Sequence, residues 1–253
     1  MEGGLMKNTE KIFSFLSLIL FFLVWEGLVI FNHYPSFILP QPTQIFFRLI
    51  KALQDGTLIF NTIITLKEIF LGLVLGFSLA FILGYFIAKL NFVKIFFTPL
   101  IVGFQAIPML ALAPLLIIWF GTGIWSKIIV CAATLFFPVL INTIVGFNNI
   151  DKNLNELVNS MGANFWQKLI ILEIPSSLPI LFGGLKIGTT LSVIGAVVGE
   201  FVGADKGLGY LINLAGGLYD TPLRFVAFMT LSIIAFSLYY SVSFIEKRLI
   251  KWR

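Results

Sequence analysis

The chain has 253 residues, 58% of them hydrophobic and 11% charged, with a net charge of +5 and a mean hydropathy of +1.00. A soluble domain carries about 25% charged residues, so a water-soluble fold is excluded and most of this chain has lipid as its solvent. The cations stand singly between apolar segments and form no basic stripe, which speaks against nucleic acid, and one Cys (Cys131) and one His (His33) are too few for a metal site.

Six segments reach the roughly 20 apolar residues that a bilayer span needs. The first, 12–31, follows Lys7 and Lys11; it is too long for a signal-peptide core and lacks a small-residue cleavage site, so it reads as a retained helix. A connection with Pro35, Pro40 and Pro42 leads to the second span, 69–88, which Lys67 and Glu68 flank. The third and fourth spans are 96–119 and 128–147, and the polar connection 148–179 follows. The fifth, 180–202, carries small residues at every fourth position, Gly184, Gly188, Ser192 and Ala196, with a second row of Gly195, Gly199 and Gly203. Such rows let helix backbones approach closely in lipid; they serve packing within the chain, or a moving interface or solute path. The glycine-rich connection 204–224 precedes the sixth span, 225–245. Alternating short runs of a lipid-spanning barrel are absent. The expected fold is all-α and polytopic, with about six transmembrane helices in a single membrane domain, 1–253.

Lysine and arginine placement sets the expected orientation. With the N-terminus inside, the inner segments hold Lys7, Lys11, Lys89, Lys94, Lys152, Lys168, Lys247, Arg248, Lys251 and Arg253, whereas the outer ones hold Arg48, Lys51, Lys67, Lys127, Lys206 and Arg224. Both termini are therefore expected in the cytoplasm. Lys186, in the first turns of the fifth span, is expected to snorkel inward.

Charged residues in or beside spans are costly and so are candidates for function. Glu26, Lys67, Glu68 and Glu200 all fall near the expected outer ends of their spans. Glu200, beside the Gly195 and Gly199 face, is the candidate for a translocation path or gate. Nothing indicates catalysis. No Gly-x-x-x-x-Gly-Lys-Ser/Thr phosphate loop occurs, no nucleophile–His pair is available beyond His33, and no cofactor or metal is implied. The alternatives are a transporter worked by a separate motor, an ion-gradient-driven carrier or channel, and a membrane-embedded enzyme without identifiable catalytic groups.

The connection 148–179 is the most informative stretch. Residues 155–161 suit a short helix that Gly162 ends in the left-handed conformation. Asn164 suits the cap of a second helix, with Gln167 three residues on in capping-box position, and Pro175 is expected to end it. Two short helices joined at a glycine make a compact cytoplasmic knob that exposes Phe165 and Trp166, side chains suited to anchoring a partner. The same pattern also fits an amphipathic hairpin lying on the membrane.

This stretch, ELVNSMGANFWQKLIILEIPSSLP at 156–179, resembles the EAA loop of permease subunits of binding-protein-dependent ABC importers. Glu156, Gly162, Ala163 and Pro175 stand at matching positions, and Leu157 and Val158 replace the two alanines. Trp25-Glu26, FQAIPMLALAPLLIIWFGTG (104–123), VVGEFVGADKGLGYLI (197–212) and FIEKRLIKWR (244–253) resemble the nitrate, sulfonate and taurine-type branch, which includes permeases for thiamine-precursor pyrimidines and riboflavin. Tyr219-Asp220-Thr221-Pro222 is similar to the latter. The resemblance implies the type I importer transmembrane fold, a coupling loop at about 151–179 with Phe165 and Trp166 at its surface, and a homodimer in a prokaryotic inner membrane. It also implies cytoplasmic ATPase subunits, an extracytoplasmic solute-binding protein, and no ATP hydrolysis by the chain itself.

Overall fold

The computed structural model describes the backbone of residues 2–250 and the side chains of all of these except 2–12, 14, 15 and 91. Lys251 and Arg253 of the basic tail, and the side chains of Lys7 and Lys11, lie outside the described residues. The described residues form helices α1 (Glu2–Phe31), α2 (Pro42–Gln54), α3 (Thr57–Lys89), α4 (Asn91–Gln105), α5 (Met109–Phe120), α6 (Ile124–Asn148), α7 (Lys152–Ser160), α8 (Phe165–Lys168), α9 (Ile174–Gly203), α10 (Leu208–Gly217) and α11 (Thr221–Leu249), and no strand. A π-helical turn, Leu169–Glu173, joins α8 to α9.

Among the described residues, four helical stretches are long and apolar enough to cross a membrane: α3, α6, the continuous run Phe165–Gly203, and α11. The expected first span is the shorter apolar stretch Leu16–Phe31. The expected third span, 96–119, is not one helix. Its two halves, α4 and α5, are bent by 95° around Pro108, whose fixed φ and missing N–H prevent α4 from continuing. The second span begins at Thr57, twelve residues before its expected start, because Asn61 and Thr65 are polar yet find partners in the helical conformation.

Pro175 does not end the second helix of the knob. The run Phe165–Gly203 has 39 residues, about 58 Å at 1.5 Å each, nearly twice the roughly 30 Å hydrocarbon core. Proline lacks an N–H, and in a regular helix its ring meets the carbonyl four residues back. The wider turn at Leu169–Glu173 relieves both, as single π turns inside helices do, and the chain passes straight into α9.

The chain divides into two compact units. One, Met1–Phe60 with Leu211–Met229, is joined by an Arg48–Asp220 ion pair at 2.8 Å and by Trp25 against Phe225, ring centroids 5.6 Å apart. Glu26 accepts hydrogen bonds from the Thr43 N–H at 3.2 Å and hydroxyl at 2.8 Å, satisfying a donor in the first turn of α2.

The other unit, Asn61–Tyr210 with Thr230–Arg253, is built around α6, whose Cys131, Leu135, Val139 and Thr143 are buried. A Cβ on Gly76 of α3 would stand 2.7 Å from the Ala132 carbonyl, and one on Gly195 of α9 would stand 2.7 Å from the Cys131 Cα. Both are closer than any real side chain approaches, so α6 packs against bare backbone on two sides. The glycines of the α9 rows thus face α6, except Gly203, which faces Ile117 of α5. Lys186, expected to snorkel inward, forms an ion pair with Glu246 of α11.

The Cys131 contact yields a direct comparison along one helix. Gly195→Ala must push α9 from α6, at a cost of about 1–3 kcal/mol, whereas a Cβ on Gly183 meets nothing within 4 Å and Gly183→Ala should be neutral or stabilising by up to about 1 kcal/mol. Thermal denaturation of the purified variants in detergent measures this. Equal melting temperatures would refute the close-approach account.

Candidate functional site

The knob at 151–175 is built by local rules. Asp151 opens α7 by accepting from the Asn153 N–H at 2.7 Å, relieving one unpaired donor of the first turn. Gly162, at φ +74°, closes it. The N–H of Gly162 donates to the Asn159 carbonyl (3.0 Å) and that of Ala163 to the Val158 carbonyl (3.3 Å), the paired bonds of a Schellman ending. α8 then starts with the reciprocal box that the sequence predicts: the Gln167 N–H donates to Asn164 Oδ1 and the Asn164 N–H to Gln167 Oε1, both at 2.9 Å.

Along the knob, Leu154, Leu157, Met161, Phe165 and Trp166 are exposed, Trp166 to 67%. Glu156 is exposed as well and makes no side-chain hydrogen bond or ion pair among the described residues. Ala163 is half-buried beneath the turn and Pro175 half-buried at the start of α9. Five large exposed apolar groups on two short, consecutive helices are the composition expected of an interaction site.

The knob is braced from below by residues that sequence reasoning missed. Glu173, 3% exposed, forms an ion pair with Lys89 and accepts from the Tyr85 hydroxyl at 3.0 Å. Tyr85 in turn lies edge-on to Phe147 and to Phe165, centroids 4.9 and 6.5 Å away. One acidic residue thus ties the base of the knob to α3. The available signal was the Glu173-Ile174-Pro175 sequence itself, a charge directly before an apolar span, where an unpaired carboxylate is costly.

Glu200, Gly195 and Gly199 lie at the other end of α9. Glu200 is 1% and Glu68 3% exposed, so neither stands at a solvated interface as the sequence suggests. Glu200 accepts from the Thr65 hydroxyl at 2.6 Å and from the Gly209 N–H. Thr65 Oγ1 also accepts from the Leu208 N–H at 2.8 Å, and Asn61 Oδ1 from the Gly207 N–H at 2.7 Å. Three successive N–H groups at the start of α10, which no helical carbonyl can reach, are therefore taken by side chains of α3 and α9. The glycines of 203–209 make this possible: a Cβ on Gly207 or Gly209 would collide with the Glu200 carboxylate. Lys127, expected in an outer loop, is 2% exposed inside α6 and donates to the carbonyls of Thr122 and, at 2.9 Å, Gly203, completing the end of α9. No group of three or more His, Cys, Asp or Glu suited to a metal occurs among the described residues.

Comparison with known proteins follows this geometry. The family described as binding-protein-dependent transport system inner membrane component matches residues 72–252. The chain is 44% identical to the riboflavin transport system permease protein RibX of Chloroflexus aurantiacus, over 93% of this chain and 88% of that protein. It is 36% identical to the formylaminopyrimidine transport permease protein ThiX of Halalkalibacterium halodurans, over 86% of each. Its fold is similar to that of a chain of the inward-facing MetNI methionine ABC transporter, with a TM-score of 0.69 at 20% identity, over 78% of this chain and 97% of that one. The chain belongs to the family of binding-protein-dependent transport system inner membrane components, and it is a multi-pass permease subunit of an ABC importer.

Proposed function

We propose that two copies of the chain form the translocation path of an importer in a prokaryotic inner membrane, with both termini in the cytoplasm. A separate ATPase subunit docks on the knob at 151–175, and an extracytoplasmic binding protein delivers the solute. The observation that carries this reading is the apolar surface of the knob, with Leu157, Met161, Phe165 and Trp166 exposed on two short, consecutive helices that the Glu173–Lys89 ion pair ties to the spans. Gly162 and Ala163 set the angle between the two knob helices, Glu156 offers a free carboxylate to a basic group on the ATPase, and Pro175 marks the passage from knob to span. Glu200, with Gly195 and Gly199, serves as a gate by keeping the start of α10 docked. The relatives that transport riboflavin and formylaminopyrimidine support a flat heterocycle as solute over a nitrate-, sulfonate- or taurine-like anion.

Two experiments test this. Gly162→Val forces a β-branched residue into a left-handed backbone, swinging α8 and misplacing Phe165 and Trp166. ATPase pull-down and solute uptake should both fall by tenfold or more at unchanged membrane levels, since a 1.4 kcal/mol loss at the interface is already about tenfold. Glu156→Ala should weaken the pull-down by a smaller factor. If both variants bind the ATPase and transport like the parent, the knob is an ordinary surface hairpin.

For orientation, cysteines placed at Asp55 and Asp205 in a Cys131→Ala background should react with an impermeant thiol reagent on intact cells. A cysteine at Asn164 should react only after permeabilisation. Labelling at Asn164 from outside would overturn the orientation and the docking site together.

A further inference from the structure

The elbow between α4 and α5 lies in the middle of an apolar segment, where irregular backbone survives only if protein buries it or if it lines a cavity. Here it lines one. A cavity of about 380 Å³ opens at the elbow, within the roughly 300–1,000 Å³ range of small-molecule sites. Its walls include Phe104, Gln105, Pro108, Met109, Thr134 and Phe137.

Three properties of these walls select a ligand. The rings of Phe104 and Phe137 are stacked, parallel to within 2° with centroids 6.1 Å apart, and a flat ring extends such a stack by offset stacking. Two polar groups sit beside them. The Thr134 hydroxyl donates to the Val130 carbonyl at 2.7 Å, leaving its lone pairs free to accept, and the Gln105 amide, which both donates and accepts, has no hydrogen-bond partner among the described residues. None of the described residues lining the cavity is charged. A sulfonate or nitrate entering it would leave water without a countercharge, which is costly; a neutral heterocycle with donors and acceptors around its edge would not.

We propose that the elbow cavity is a transit subsite for a neutral, flat heteroaromatic solute, with Phe104 and Phe137 as its stacking platform and Gln105 and Thr134 as its edge partners. This rests on the heterocycle reading of the solute given above and assigns it a place in the permease.

The test uses the permease–ATPase complex for binding and the complete importer, with its binding protein in vesicles, for uptake. The probes are riboflavin, a formylaminopyrimidine and taurine. The complete importer takes up one of the heterocycles with ATP, and the permease–ATPase complex binds that heterocycle saturably in equilibrium dialysis but not taurine. Phe104→Leu, which keeps apolar bulk but loses the ring face, weakens binding about three- to tenfold, whereas Phe104→Tyr stays within about twofold. The double variant Gln105→Leu/Thr134→Val weakens it by a similar three- to tenfold, and Ile118→Ala, on an exposed face of α5 away from the cavity, changes nothing. Heterocycle uptake with no binding by the permease–ATPase complex, or with binding unmoved by Phe104→Leu and the double variant, overturns the subsite and leaves the heterocycle reading intact. Uptake of taurine, or of neither heterocycle, overturns both.

Discussion

Helix α6 can approach its neighbours as closely as it does because the facing surfaces carry glycine where a side chain would stand. In hydrocarbon, hiding a leucine from lipid gains little, so helix association depends on close van der Waals contact and on polar groups that find each other. Gly76 and Gly84 of α3, and Gly184 and Gly195 of α9, leave no room for a Cβ against α6. Small residues recur at every fourth position in both helices, Gly72, Gly76, Ala80 and Gly84 in α3 as well as the rows of α9, but that glycines of both sets face α6 is seen only in the structure.

Close packing brings polar side chains within reach of one another, and these decide where the helices are fastened. α3 and α9 are joined twice, by Lys89 and Tyr85 on Glu173 beside the knob, and by Thr65 on Glu200 at the start of α10. Glu173 and Glu200 are 27 positions apart, about 40 Å of helix, and the helix between them is continuous through Pro179. Both fastenings thus hold α3 to the two ends of one continuous helical run. The buried carboxylates are costly in isolation; hydrogen bonds from backbone N–H groups and hydroxyls offset that cost at Glu200, and a lysine does so at Glu173.

The knob was legible because its structure is local. Asn164 and Gln167 cap α8, and Gly162 adopts the left-handed conformation between two short helices, whatever the rest of the chain does. Pro175 and Pro108 show the reverse. Both are prolines in apolar surroundings, and a local rule gives each the same power to break a helix. At Pro175 a π turn absorbs the lost bond and the helix runs on. At Pro108 the chain bends by 95°, and no sequence window distinguishes the two outcomes. A local reading puts Lys127, Glu68 and Glu200 near the surface because charge usually seeks water; the partners of Lys127 and Glu200 lie 76 and 135 residues away in sequence, beyond its reach.

The sequence by itself determined the solvent, the helical class, the approximate spans and the capped form of the knob, since hydropathy and capping are properties of a residue and its near neighbours. Only the tertiary structure decided which glycines face another backbone, which charges are buried and paired, where a proline bends the chain and where a cavity opens. Those depend on the few ångströms separating helices, and that distance is set jointly by residues far apart in the chain.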